Sequence, residues 1–224
     1  MRQEWHEAGY VRRLRDNFTV ITVDLRGHGE SGLPTDPADY TTDRMGQDIL
    51  AAADACGAER FITWGMSYGG NVSRYLAVQS ERVAKLILIG TPLGLGVSGK
   101  LRQDAIEFCA HWPPIMQAQR DGTLDVDSLS QNDQDVLRRL NVPVVLAWVR
   151  AMLEWPAIEP GDFRCPTLWL AGSEDRHAMA SIKEYEESVK GSRVQVHIVE
   201  GLDHEQVFAE IDRVFPTMLA FTKP

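Results

Sequence analysis

Residues 61–79 read FITWGMSYGGNVSRYLAVQ: an apolar run, a serine held between glycines, then a stretch with helical character. Passing from strand to helix in so few residues requires a sharp turn. Glycines tolerate the backbone angles and close approach that such a turn imposes. Ser67 is then lifted out of the backbone, and the helix N-terminus beyond it favours developing negative charge. The pattern G-x-S-x-G, Gly65 to Gly69, is weak evidence by itself, since a turn serine with no chemical role would also fit. Its place between a strand and a helix gives it weight.

Working outward, similar runs recur: FTVITVDL (18–25), RFITWGM (60–66), VAKLILIG (83–90), CPTLWLAG (165–172) and RVQVHIVE (193–200). Runs this apolar predict strands buried on both faces, as in a parallel sheet covered by helices. Between them lie apolar stripes at helical spacing, through Met45, Ile49, Ala52 and Cys56, then Met179, Ile182, Tyr185 and Val189. The last runs from Val207 and Phe208 through Ile211, Val214 and Phe215 to Met218. Pro216 is expected to kink or restart that last helix. The alternation predicts an α/β fold with a mostly parallel sheet flanked by helices.

Residues 94–160 break the rhythm. Pro113, Pro114, Pro143 and Pro156 punctuate them, and two amphipathic stretches, LRQDAIEFCAHW and VVLAWVRAMLEW, replace the strand pattern. They are expected to form a helical cap or lid inserted into a core of residues 1–93 and 161–224, over the carboxyl ends of the strands. Trp112, Trp148 and Trp155 either line an apolar pocket there or pack the cap itself.

At 224 residues the chain suits one domain with a sizeable core. A formal net charge of −9 disfavours nucleic acid and anionic lipid as partners. The longest apolar runs fall short of the roughly 20 residues that cross a bilayer. The N-terminus has no secretion-signal pattern, so the cytoplasm is the expected location. Cys56, Cys109 and Cys165 are odd in number and far apart, without a C-x-x-C pair. They are expected to be buried thiols rather than disulfides or zinc ligands. No metal or nucleotide motif is present, so no cofactor is expected; oligomeric state is left open.

A serine hydroxyl is a poor nucleophile near neutral pH. It needs a histidine to take its proton and a carboxylate to orient that histidine. His204, in EGLDHEQVF, follows the last expected strand, and Asp175, in AGSEDR, follows the one before. The chain order Ser, Asp, His is the one used with this turn on parallel sheets. His28, His111 and His177 suit the base role less well, and His28 is expected to serve the architecture of its loop. Glu174 and Asp203 are the competing carboxylates, but a residue adjacent to His204 seldom curls back onto its ring.

Together DLRGHGES (24–31), GMSYGG (65–70), AGSED (171–175) and GLDH (201–204) resemble, in order, the corresponding segments of the α/β-hydrolase superfamily. The resemblance covers most of the chain outside 94–160. It implies Ser67 as nucleophile, His204 as general base and then acid, Asp175 as the orienting acid, and the Tyr68 backbone N–H as one oxyanion donor. The implied reaction is hydrolysis of a small carboxylic ester, thioester or lactone through an acyl-enzyme. C–C bond hydrolases and cofactor-free haloperoxidase-like enzymes share this serine constellation and stay open, as does a noncatalytic or inactive scaffold that binds a small ligand. The haloalkane dehalogenase and epoxide hydrolase branches use aspartate where this chain has Ser67.

The superfamily also has, before DLRGHG, an apolar strand ending in a His-Gly segment that supplies the other oxyanion N–H. Here MRQEWHEAGYVRRL resembles the family's first helix instead, so the opening strands are expected to be missing. In the family that strand lies between the counterparts of FTVITVDL and RFITWGM. Three readings follow: a fragment of a longer frame, completion by another chain, or movement of 18–25 to pair with 60–66.

Overall fold

Four of the five expected strands form, and they form a single parallel sheet. The computed structural model describes residues 1–223. The chain opens on α1 (Arg2–Glu7) and α2 (Tyr10–Leu14), divided by Gly9 in the left-handed region. After an irregular stretch come α3 (Thr42–Ala55), β1 (Phe61–Met66), α4 (Ser67–Gln79) and β2 (Val83–Ile89). Three helices follow: α5 (Gly99–Arg120), α6 (Gln131–Arg139) and α7 (Val142–Leu153). Then come β3 (Thr167–Gly172), α8 (Arg176–Glu184), α9 (Glu186–Val189), β4 (Val194–Val199), α10 (Gln206–Ala209) and α11 (Ile211–Thr222).

The sheet order is β1-β2-β3-β4, every pair parallel. Successive side chains on a strand point to opposite faces, so a strand apolar at every position needs cover on both. β2 makes this visible. Leu86 and Leu88 join Val72, Tyr75, Leu76, Ala147 and Trp169 on one face, while Ile87 and Ile89 join Tyr10, Leu170, Val214 and Met218 on the other. Helices α3, α4 and α8 therefore cover one face, joined by residues of α7, and α2 and α11 the other.

FTVITVDL is the strand that fails. Residues 19–25 form neither helix nor strand, and no backbone hydrogen bond joins residues 19–24 to another main-chain group among the described residues. Alternation prepares a segment to be a strand; a partner edge makes it one. β1 pairs only with β2, and 18–25 does not move in beside it. Both line one cavity instead.

Smaller corrections concern prolines and cysteines. The last helix breaks at Glu210 (φ −80°, ψ 59°), and Pro216 sits inside α11. Pro113 and Pro114 lie within the continuous α5 rather than ending it. Of the cysteines only Cys165 is buried; Cys56, the C-cap of α3, is exposed and Cys109 half-buried. Among the described residues no helix is long and apolar enough to cross a membrane.

Candidate active site

Ser67 is the first residue of α4 and, at φ 49°, the one non-glycine residue with positive φ among the described residues. An L residue there is strained and persists only when its surroundings hold it. Two glycines allow the turn. A Cβ on Gly65 would lie 2.5 Å from Gly69 O, and one on Gly70 would lie 2.9 Å from Gly65 O and overlap the Thr91 hydroxyl. Gly69, the second glycine of the motif, has nothing within 4 Å of its added Cβ, so the steric demand falls on Gly65 and Gly70. Thr91 Oγ1 donates to Ser67 O (3.3 Å) or Ile89 O (3.1 Å), and the fully buried Trp169 donates Nε1–H to Thr91 O (2.8 Å). The turn is thus tied to the strand ends beside it.

Asp175 and His204 arrive from the ends of β3 and β4. Asp175 caps α8, its Oδ1 accepting from the His177 and Ala178 N–H groups (3.2 and 3.1 Å). That leaves Oδ2 for His204 Nδ1 at 2.6 Å. Because a carboxylate only accepts, Nδ1 carries the proton and the neutral ring keeps a lone pair on Nε2. Burial would push the Asp175 carboxyl up, but the bonds from His204, Ala178 and His177 outweigh it and hold it below the usual range. The same bond to Asp175, and the carboxylate charge behind it, raise the pKa of His204 above its ordinary value despite partial burial. A Cβ on Gly90 would come within 3.1 Å of His204 Nδ1 and 3.2 Å of Asp175 Oδ2, so a glycine there leaves room for the pair.

The competing candidates are occupied elsewhere. Asp203 holds the turn before α10, its Oδ1 accepting from the Glu205 and Gln206 N–H groups, and Glu174 is exposed. His111 bonds Asp133 at 3.0 Å, far from this pair in the chain, and His177 is exposed.

Ser67, Tyr68 and His204 line one cavity of about 1120 Å³, together with His28, Trp148 and the facing runs 18–23 and 61–66. Ser67 Oγ makes no side-chain hydrogen bond among the described residues, so serine and histidine share a cavity without being joined in it. Tyr68 is the second residue of α4, and its N–H has no acceptor within the helix. Trp148 alone of the three tryptophans lines the cavity. Trp155 lies behind it, stacked on Tyr68 at 6.1 Å, and Trp112 packs with Met116, Val142 and Leu146 in a separate cluster.

His28 is the residue that sequence reasoning assigned elsewhere. Its ring stacks on Tyr68 (centroids 5.1 Å apart, 26°) and tilts against Trp148 (6.0 Å). A histidine between two glycines was the available signal; the aromatic partners come from elements 40 and 120 residues away.

The family model described as alpha/beta hydrolase fold matches residues 2–124. A putative carbamate hydrolase RutD of Caulobacter sp. (strain K31) is 37% identical over 188 residues, covering 75% of this chain and 67% of that protein. Epoxide hydrolase 4 of Mus musculus is 32% identical over 83 residues, or 37% of this chain and 23% of that protein. The chain thus matches about a quarter of the length of this curated relative. Among solved structures, one from a study of carboxylesterases of Nitrososphaera gargenis superposes with a TM-score of 0.71 at 20% identity, covering 97% of this chain and 84% of that one.

Proposed function

The chain belongs to the α/β-hydrolase fold family, and from that premise we propose that it is a serine hydrolase acting on a small carboxylic ester, thioester or lactone. Ser67 Oγ attacks the carbonyl carbon while His204 Nε2 takes its proton. The Tyr68 N–H receives the oxyanion, with the α4 N-terminus behind it. The C–O or C–S bond then breaks, His204 returns the proton to the leaving atom, and water releases the acyl group by the same steps in reverse order. Asp175 holds the imidazole in the required tautomer.

The observation that carries this reading is the 2.6 Å bond from buried Asp175 to His204, whose ring lines the same cavity as Ser67 at its strained turn. Serine rather than aspartate at the turn favours acyl transfer over the epoxide opening named in one relative. Residues 94–160 act as the cap, a role supported by Asn141, Val144, Val145 and Trp148 lining the same cavity.

A fluorophosphonate probe with intact-mass readout, alongside p-nitrophenyl acetate turnover, tests the reading. The expected result is one adduct on the wild-type chain and none on Ser67→Ala. Equal labelling of both, or of neither, removes Ser67 as nucleophile. The absence of a Ser67–His204 hydrogen bond favours a second reading, a noncatalytic scaffold binding a small ligand in this cavity; it predicts ligand retention with no adduct.

A further inference from the structure

Resting on Ser67 as the nucleophile, we infer that His28 selects the substrate. Its Nε2 accepts a hydrogen bond from an O–H or amide N–H on the acyl group, so hydroxylated or amide-bearing acyl compounds are preferred over plain alkyl ones.

The loop that carries His28 is built to hold it. Gly27 and Gly29 take φ of 82° and 55°, Gly27 N–H bonds Gly32 O at 2.8 Å, and Ser31 Oγ donates to Asp24 O at 2.6 Å. Arg26 locks the loop to α3, its Nε and Nη2 donating to the two Asp48 oxygens (2.6 and 2.7 Å) and its Nη1 to Asp39 O (2.7 Å). A paired guanidinium fork of this kind fixes orientation as well as position. Tyr68 and Trp148 then hold the ring itself.

The hydrogen-bond pattern assigns the polarity of the free edge. His28 Nδ1 lies 3.2 Å from Arg26 O, and a carbonyl can only accept, so Nδ1 carries the proton. In the neutral ring Nε2 is then an acceptor, and no protein donor takes it among the described residues. A lone acceptor in an aromatic wall rewards a ligand that supplies a donor, and a ligand without one leaves it unpaired.

Position assigns the acyl side. The leaving atom must face His204, which arrives from β4, at the opposite end of the sheet order from β1. His28 follows the run 18–23 that lines the cavity with β1, and it stacks on the residue next to Ser67. The part of the substrate turned away from His204 is therefore the part that meets His28.

The test compares kcat/KM for p-nitrophenyl lactate and p-nitrophenyl propanoate, a pair differing by one hydroxyl, each corrected for its rate with hydroxide. The wild-type chain is expected to favour the lactate about tenfold. In His28→Phe, which keeps an aromatic ring in the stack, the ratio should fall to about one; His28→Gln, which restores an acceptor, should recover part of it. No wild-type preference, or a preference kept by His28→Phe, overturns the inference. Fluorophosphonate labelling separates the two levels. A labelled chain without the preference sinks only the role of His28, whereas a chain that neither labels nor turns over sinks the nucleophile and this inference together.

Discussion

Ser67 holds a backbone conformation that its side chain opposes, and the proposed chemistry supplies a reason for keeping a side chain there. Ser67→Ala removes the hydroxyl and keeps the strain, whereas Ser67→Gly removes both. Ser67→Gly should therefore unfold at higher urea than Ser67→Ala, by about 1 kcal/mol; equal midpoints would mean that the turn is relaxed. The Asp175–His204 pair makes a prediction in pH. His204 must be neutral to act as base, so kcat/KM falls as pH drops through its pKa. With that pKa raised, the acid limb should centre above the ordinary 6.5. Asp175→Asn removes the cause of the shift, so its limb should move down while the rate drops about 10³- to 10⁴-fold. Stability carries matching signs. The raised His204 contributes fully below its unfolded value of 6.5 and less as pH rises through the folded one. The lowered Asp175 contributes above its unfolded value of 3.8 and less as pH falls through the folded one. The difference in Tm between wild type and Asp175→Asn should therefore be greatest between these two values. Both side chains of this pair were legible in the sequence because each directly follows a strand end. His28 was not, because stacking on Tyr68 and Trp148 is a tertiary fact with no local pattern.

At the scale of elements, the strand-turn-helix of β1 and α4 is where motif and sterics can be told apart. Gly65→Ala would drive a methyl into the backbone of Gly69 and Gly70, neither of which can rotate away, and should cost about 3 kcal/mol or more. Gly69→Ala meets open space within α4 and replaces a poor helix former, so it should leave stability unchanged or raise it by up to about 1 kcal/mol. Thermal unfolding of the two variants side by side checks the contrast, and similar losses would mean that the second glycine of the motif is also sterically required. The central strands β2 and β3 were readable because residues such as Leu86 to Ile89 are apolar without interruption, which only cover on both faces explains, whereas β4 lies at the sheet edge with Gln195 and Ile198 exposed. Helix ends were less readable. The break at Glu210 depends on how the chain turns from α10 into α11, and the apolar stripe from Val207 to Met218 runs straight through it.

Across the whole molecule, hydrogen bonding is unevenly distributed. β2 and β3 are paired on both sides, β1 on one, and residues 19–24 make no hydrogen bond to another main-chain group among those described, although their sequence is as strand-like as any in the chain. This explains why FTVITVDL reads as a strand and is not one: pattern is local, whereas pairing requires a second edge at the right distance, which no window of sequence contains. The same unevenness accounts for the size of the cavity, since the facing walls 18–23 and 61–66 stand apart where a ladder would otherwise close the gap. Amide exchange follows the pairing. Leu86 to Ile89 and Leu168 to Leu170, buried and bonded within the sheet, should exchange only through global unfolding. The amides of Thr19 to Val23 should exchange orders of magnitude faster, and those β1 amides that point away from β2 should fall between. Exchange-mass spectrometry of the 224-residue chain reads all three classes in one experiment. Protection of Thr19 to Val23 equal to that of β2 would mean that this run is paired in solution and that the cavity beside Ser67 is closed along that wall.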